Sequence, residues 1–106
     1  MTALPPLTPE QREHALNRAR EVRAERRDIR QNLKKGDIAL ADVIRDSANS
    51  EVIAKTKVTA LLESLPGVGK IRAAQIMERL GIDPGRRVRG LGANQREALV
   101  AEFAAA

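Results

Sequence analysis

The stretch that decides the fold is residues 57–82, which read KVTALLESLPGVGKIRAAQIMERLGI. Apolar residues recur at helical spacing on both sides of the break LPGVG, so the pattern predicts helices over about 57–65 and 70–80. A Gly-x-Gly turn suits such a hairpin, since glycine accepts backbone angles that other residues avoid. Gly81 is expected to end the second helix, with Ile82 packing back on it.

A long helix is predicted upstream of this pair, over residues 9–35. Thr8 is suited to cap the first turn, a proline follows it at the first helical position, and Gln11 completes a capping-box pattern. No Gly or Pro then interrupts the chain before Gly36, which supplies a C-terminal stop. Residues 1–8 contain two adjacent prolines and are expected to form an extended N-terminal arm.

Shorter helices are expected in the rest of the chain. Residues 38–44 and 51–54 have helical apolar spacing, and Asn94 with a glutamate three residues on has the pattern of a capping box for a last helix. No segment alternates polar and apolar residues as a strand does. We therefore predict an all-α fold with a single domain over 1–106, in which a helical body, residues 36–106, follows the long helix.

Charge is distributed unevenly along the chain. The 106 residues carry 19 basic and 14 acidic side chains, so the formal net charge is +5. Counted by segment, the net charge is +4 over residues 1–35, −2 over 36–63 and +3 over 64–106. Two positive segments indicate a polyanionic partner, although a solvated surface with paired charges has the same composition.

Composition excludes several classes of function. The chain has no Cys and a single His, so we expect no metal site, no cysteine nucleophile and no cofactor. It has no paired carboxylates or nucleophile–base set, so we predict no catalytic residues and no enzyme activity. One Phe and no Trp or Tyr argue against base stacking on single strands. No apolar run reaches the roughly 18 residues of a membrane helix and no secretion signal is present, so we expect no membrane partner and a cytoplasmic protein.

The long helix separates its charges by sign on a helical wheel. Basic residues lie along one flank, and most acidic residues lie opposite them. A solvated face with i,i+4 ion pairs is the alternative, but such pairing interleaves opposite charges. The α1 basic flank, a candidate secondary contact for the polyanion, comprises Arg20, Arg23, Arg27, Arg30 and Lys34.

The turn between the two helices, called the hairpin below (residues 64–71), has the features of an anion site. Gly67 and Gly69 leave no Cβ between the backbone and a ligand, and free N–H groups at the start of the next helix favour a phosphate. Lys70 and Arg72 add positive charge. We predict a clamp on a nucleic-acid backbone that reads phosphate rather than sequence. Its candidate residues are Ser64, Leu65, Pro66, Gly67, Val68, Gly69, Lys70, Ile71 and Arg72.

The hairpin has two alternative interpretations. A nucleotide-binding P-loop requires a preceding strand and a Ser or Thr after the lysine, where this chain has Ile71. A turn without a ligand remains open, but the basic loop (residues 82–94) argues against it, because its three arginines have no acidic residue between Asp83 and Glu97. Arginine grips phosphates bidentately and enters narrow minor grooves. The candidate residues of the basic loop are Arg86, Arg87, Val88, Arg89, Gly90 and Asn94.

The segment LPGVGKIRAAQIM resembles helix–hairpin–helix and helix–two-turn–helix DNA-binding modules. Together with RRVRGLGANQ and the opening ALPPLTPEQR, the stretch 57–82 is similar to the actinobacterial integration host factors, which are small nucleoid-associated proteins. The resemblance covers nearly the whole chain. It implies an all-helical protein that binds double-stranded DNA with little base preference, contacts it at residues 64–71 and 82–94, and bends or compacts it.

The resemblance also implies a non-enzymatic role in phage integration, chromosome organisation and transcription in the nucleoid. Expected partners are double-stranded DNA and a phage integrase–DNA complex, and we expect a monomer, which bridges two duplexes if its basic surfaces face apart. Pro66 is a candidate wedge at a base step, although it also suffices to end the preceding helix. The alternative function is RNA or ribosome binding, because the module also resembles part of a small-subunit ribosomal protein.

Overall fold

The computed structural model describes residues 5–104. The first four residues of the predicted arm lie outside this range, and residues 5–8 precede the first helix without helix or strand. All regular secondary structure in the described residues is helical. There is one isolated backbone bridge and no strand, which confirms the all-α prediction. The helices are α1 (Pro9–Lys35), α2 (Leu40–Asp46), α3 (Glu51–Ala54), α4 (Val58–Ser64), α5 (Gly69–Arg79) and α6 (Ala93–Glu102), with a 3-10 helix at Val88–Gly90.

The long helix α1 begins with the predicted capping box. Gln11 N donates to Thr8 Oγ1 over 3.1 Å, and Thr8 N donates back to Gln11 Oε1 over 3.0 Å. The helix is about 40 Å long at 1.5 Å per residue. Residues 9–18 are all exposed, whereas Leu33 is fully buried, and the contacts of α1 are with α3 and α4. Only the second half of α1 therefore packs on the body. Most of the basic flank lies on this same half, but its residues remain exposed.

The hydrophobic core lies beneath that second half of α1, with α4 at its centre. Leu61 and Leu62 of α4 are 1% and 0% exposed, and α4 packs against both α1 and α5. On the other side, α2 packs against α6. The remaining large side chains that are fully buried are Leu33, Val58, Met77, Val88 and Leu99. The hairpin thus connects two of the best-packed helices. No helix within residues 5–104 has the length and apolar character needed to span a bilayer.

The ends of α5 and α6 test two sequence-based predictions. Ile82 is buried and its N–H donates to Met77 O over 2.8 Å, which confirms the predicted contact at the end of α5. The predicted cap of the last helix at Asn94 is wrong. Gly92 is the N-cap, and Gln95 Oε1 accepts from its N–H over 3.0 Å.

The reason for this earlier start is a tertiary contact. Gln95 Nε2 also donates to Gly81 O, 3.1 Å away at the end of α5. One glutamine side chain therefore satisfies the first turn of α6 and fixes it to α5 at the same time. Asn94 lies exposed in that first turn, where its side chain is not needed as a cap.

Candidate nucleic-acid interface

The backbone of the hairpin depends on two glycines. After α4 ends, Leu65 is extended, and Gly67 and Gly69 follow with φ of 75° and 68°. This left-handed region disfavours any residue with a Cβ. A Cβ added at either glycine meets nothing within 4 Å. The requirement for glycine is therefore conformational, and the space outside the turn is open to a ligand.

The N-terminus of α5 presents unpaired backbone donors to that space. Val68 is its N-cap and provides no side-chain hydrogen bond, whereas α1 and α3 begin with the side-chain caps Thr8 and Ser50. The first N–H groups of a helix have no partner within it, and the helix dipole adds positive potential there. Lys70 and Arg72 are exposed on the same turn. The arrangement has the donors and the charge that an anion requires.

The side chains of the hairpin divide into anchors and exposed groups. Leu65 and Val68 are half-buried and pack against the core, although both were predicted as contact residues. Pro66 is exposed, and Ile71 is 79% exposed. An apolar tip therefore projects from the turn, and the packing of Leu65 and Val68 against the core holds the turn in place.

Ser64 connects the hairpin to α1. Its side chain is buried, its Oγ donates to Ala60 O over 2.8 Å, and it accepts a hydrogen bond from Arg30 Nε over 3.1 Å. The sequence predicted both residues as contacts. It did not predict the hydrogen bond between them, because they are 34 positions apart. The α1 basic flank is thereby fixed beside the hairpin.

A groove of about 580 Å³ lies where the flank and the hairpin meet. Its walls come from α1 on one side and the hairpin on the other. Arg20 lies one turn before the groove and is exposed. The predicted contacts that line it are Arg23, Arg27, Arg30, Lys34, Ser64, Leu65, Pro66 and Gly67.

The basic loop is attached to the start of α4 by a backbone bridge. Val58 N donates to Arg86 O and Val88 N donates to Thr56 O, each over 3.0 Å. These bonds place Lys57 and Arg87 opposite one another in antiparallel orientation. Val88 was predicted as a contact residue, but its side chain is fully buried and anchors the loop from inside.

The three arginines of the basic loop differ in their surroundings, although all are exposed. Arg86 Nη1 donates to Gly90 O over 3.1 Å, and Arg87 Nη1 donates to Lys55 O. Arg89 makes no side-chain hydrogen bond within residues 5–104. Because backbone carbonyls leave a guanidinium its full charge, all three remain positively charged groups without a carboxylate partner in the described chain.

Sequence reasoning missed Arg96, which supports the basic loop from α6. Half-buried, it donates to Val88 O over 3.2 Å and to Ser47 Oγ over 3.2 Å, and to two more carbonyls at 3.5 Å. It therefore joins the 3-10 helix to the end of α2. A lone arginine in an ordinary helical pattern carries no signal of this role, because its partners come from distant segments.

Ion pairs in the described residues avoid the predicted contacts. The four pairs are Arg18–Glu21, Arg45–Asp42, Lys55–Glu51 and Arg79–Glu102. The hydrogen bond from Lys55 lowers the pKa of Glu51, and the more distant charges of Arg18 and Arg89 lower this pKa further. No cluster of His, Cys, Asp or Glu in residues 5–104 has the arrangement of a metal site. The site is thus a basic surface built from side chains and main-chain amides.

Comparison with known proteins gives a consistent result. Residues 33–103 match the S13-like H2TH domain family. The integration host factor of Streptomyces coelicolor is 58% identical over 101 residues, which cover 95% of this chain and 94% of that protein. The integration host factor of Mycobacterium tuberculosis is 49% identical over 104 residues, which cover 98% and 99%. A solved structure of sIHF bound to an 8-bp palindromic DNA has a TM-score of 0.80 and 54% identity, covering 82% of this chain and 98% of that one.

Proposed function

This chain belongs to the integration host factor family, and on that premise we propose that it is a non-enzymatic architectural protein that binds double-stranded DNA without a cofactor. The observation that carries the proposal is the set of basic side chains around the hairpin and in the basic loop, none of which has an ion-pair partner within residues 5–104. Clustered basic groups without acidic partners leave a positive potential that attracts a polyanion. The DNA bound to the related sIHF supports duplex DNA as the polyanion.

The hairpin would hold one phosphate of the backbone. Gly67 and Gly69 orient the N–H groups at the start of α5, while Lys70 and Arg72 supply charge beside them. Contacts of this kind fix the position of a duplex and carry little sequence information. We therefore propose binding with little base preference.

The α1 basic flank would follow the same strand. Arg30 is hydrogen-bonded to Ser64, and both line the groove between α1 and the hairpin. Because these two surfaces are continuous, they engage one duplex together rather than two duplexes on opposite faces. Bridging by a single molecule would then require the basic loop to hold the second duplex.

Several finer roles belong to the same proposal. We propose a single-domain monomer of the cytoplasm and nucleoid that organises the chromosome, influences transcription and supports phage integration together with an integrase–DNA complex. The exposed apolar side chains of Pro66 and Ile71 favour bending, since an apolar wedge partly unstacks a base step. If Pro66→Ala leaves the circularisation rate of short duplexes unchanged, Pro66 is not the wedge.

The proposal is tested by titrating random-sequence duplexes at two salt concentrations, with fluorescence anisotropy as the readout. The triple variant Arg23→Gln, Arg27→Gln and Lys34→Gln is expected to lower the slope of log affinity against log salt by about 0.9 for each phosphate that it leaves unneutralised. A control triple, Lys35→Gln, Arg45→Gln and Arg79→Gln, removes the same charge from outside both the groove and the α1 basic flank. Equal effects of both triples would contradict an interface at the groove.

RNA or ribosome binding is the alternative, and competition separates it from DNA binding. Duplex DNA, duplex RNA of the same length and ribosomal subunits are offered together at physiological salt. We expect the protein to remain bound to duplex DNA in this competition. Retention by RNA or by subunits would overturn it, and would assign the basic surface to the other polyanion.

A further inference from the structure

We propose that a second site, the basic pocket, binds a diphosphate-like anion. It lies between α1, the junction of α3 and α4, and the basic loop, and it has a volume of about 300 Å³. Besides Thr56 and Ala60, every lining residue is basic, and none is acidic. The basic members are Arg26, Arg30, Lys55, Lys57 and Arg87. The inference stands on these residues and does not require the hairpin to bind DNA.

The backbone bridge between Lys57 and Arg87 sets two like charges opposite each other. Its hydrogen bonds run between the flanking residues, from Val58 N to Arg86 O and from Val88 N to Thr56 O. Lys57 and Arg87 are therefore a non-hydrogen-bonded antiparallel pair, the kind whose Cα atoms approach to about 4.5 Å. Like charges directly opposite each other destabilise such a pair. An anion bound between them reverses that repulsion.

Arg26, which lines the pocket, carries an unsatisfied hydrogen-bond donor. Its Nε is buried and has no hydrogen-bond partner within the described residues. Buried polar groups are nearly always paired, and a donor left unpaired in the interior destabilises the fold. A rotation of the Arg26 guanidinium would expose Nε to an anionic oxygen in the pocket, because the residue lines both the pocket and the groove beside the hairpin.

The remaining basic groups show how much charge is free. Lys55 Nζ lies 2.8 Å from Glu51 Oε1, so its charge is largely balanced. Arg30 uses Nε for Ser64, and its terminal nitrogens make no hydrogen bond within residues 5–104. Lys57 has no ion-pair partner in that range. Several full positive charges thus converge without a carboxylate to neutralise them.

The character of the walls indicates which anion fits. The hydroxyl of Thr56 is already committed to Val52 O over 2.7 Å, and no aromatic side chain is present for stacking on a base. Recognition therefore depends on charge and on guanidinium donors, which pair well with phosphate oxygens. The volume exceeds what one small anion fills and suits two linked phosphates. The two phosphate groups are either joined directly, as in a free diphosphate, or are successive backbone phosphates of DNA, which a sugar separates.

The test uses the full chain, ¹⁵N-labelled, without DNA, titrated with inorganic pyrophosphate against sodium chloride of equal ionic strength. We expect saturable shifts of the amides of residues 56–58 and 87–88. Lys57→Gln and Arg26→Gln should each weaken binding about tenfold, the effect of losing one charged hydrogen bond. Lys35→Gln, which removes an exposed charge outside the pocket, should bind pyrophosphate as the unsubstituted chain does. Unmoved amides, or equal weakening by Lys35→Gln, would overturn the proposal.

Thermal unfolding provides a second measurement that does not depend on assigned spectra. Pyrophosphate is expected to raise the midpoint of the unsubstituted chain, because a ligand bound only by the folded state stabilises it. In Lys57→Gln that rise should shrink, while the midpoint without ligand should not fall, since a like-charge repulsion has been removed. A rise of the same size in Lys57→Gln would contradict the site.

Adding duplex DNA to the pyrophosphate complex distinguishes the two sources. Displacement of pyrophosphate assigns the pocket to backbone phosphates of the bound duplex. Binding of both together assigns it to a free diphosphate. The outcome is separable from the proposed function, because a chain that binds pyrophosphate but no DNA keeps the pocket and loses only the architectural role.

Discussion

The hairpin and the basic loop offer an anion two different kinds of donor. In the hairpin the donors are main-chain N–H groups, and the positive φ angles of Gly67 and Gly69 fix their direction. In the basic loop they are guanidinium groups, carried by a backbone that the bridge at Lys57 and Arg87 holds in place. An anion would therefore be held by backbone geometry in one region and by side-chain charge in the other. Substitutions in the two regions should therefore affect the affinity for DNA and its salt dependence differently.

The largest effect is expected from removing the charges of the basic loop. Replacing Arg86, Arg87 and Arg89 by Ala should weaken binding on the order of a hundredfold, alike on unrelated duplexes, because phosphate contacts carry no sequence information. The salt slope should fall by about 0.9 for each phosphate that is no longer neutralised. Anisotropy titrations at several salt concentrations measure both quantities. A variant with the original affinity and slope would remove the basic loop from the interface.

A smaller loss with a different signature is expected from the hairpin glycines. Gly67→Ala and Gly69→Ala each force a Cβ into the left-handed region, which costs about 1–2 kcal/mol per residue and turns the N–H groups away. Because the relaxed turn must return to the strained conformation in order to bind, affinity should drop about tenfold, while the salt slope stays nearly unchanged because no charge is removed. Titration at two salt concentrations distinguishes this loss of affinity at constant slope from the loss of slope expected for the basic loop.

The control for the hairpin variants is Gly36→Ala, at the end of α1. Gly36 is left-handed like the hairpin glycines, with φ of 79°, and a Cβ there also meets nothing within 4 Å. This variant should therefore carry the same backbone strain and still keep the affinity of the unsubstituted chain. If Gly67→Ala instead changed the slope as the loop variant does, the distinction between backbone geometry and side-chain charge would be wrong.

The support beneath the basic loop gives a third test. Arg96→Met leaves Val88 O and Ser47 Oγ without their shared donor, and an unsatisfied buried group costs about 1–3 kcal/mol. The free energy of unfolding should fall by that amount, and amide exchange in the 3-10 helix should accelerate. Chemical denaturation and hydrogen exchange measure these effects. Unchanged exchange at Val88–Gly90 would show that the bridge alone holds the loop.

Much of this contrast could be predicted from the sequence, and the missing part has a common cause. The hairpin was predictable because its glycines, its apolar spacing and its basic first turn are all local. The cap of α6 was not, because the choice of Gly92 over Asn94 depends on Gln95 reaching Gly81 across the fold. The link between Arg30 and Ser64 and the bridge at Lys57 likewise join residues that are distant in the chain. No local pattern encodes such pairs.

The smallest effect is expected at Arg79, a basic residue of α5 that differs from Arg72 by having a partner. Arg79 is hydrogen-bonded to Glu102 of α6, and this bond is the main reason why the pKa of that carboxyl is lowered. Arg79→Gln should therefore leave DNA affinity and salt slope unchanged, whereas Arg72→Gln should reduce the slope by about 0.9.

The same ion pair has a pH dependence whose sign follows from the lowered pKa of Glu102. Because the carboxyl binds its proton less readily in the folded state, the pair stabilises the fold above the ordinary glutamate pKa of about 4.3. That contribution is lost as the pH falls through the lowered value. Thermal midpoints measured between neutral pH and acid should thus decline less in Glu102→Gln than in the unsubstituted chain, by a small amount because the pair is solvent-screened. Parallel curves of midpoint against pH would mean that Glu102 does not hold Arg79. An unchanged DNA affinity of Arg79→Gln would then need a cause other than this ion pair.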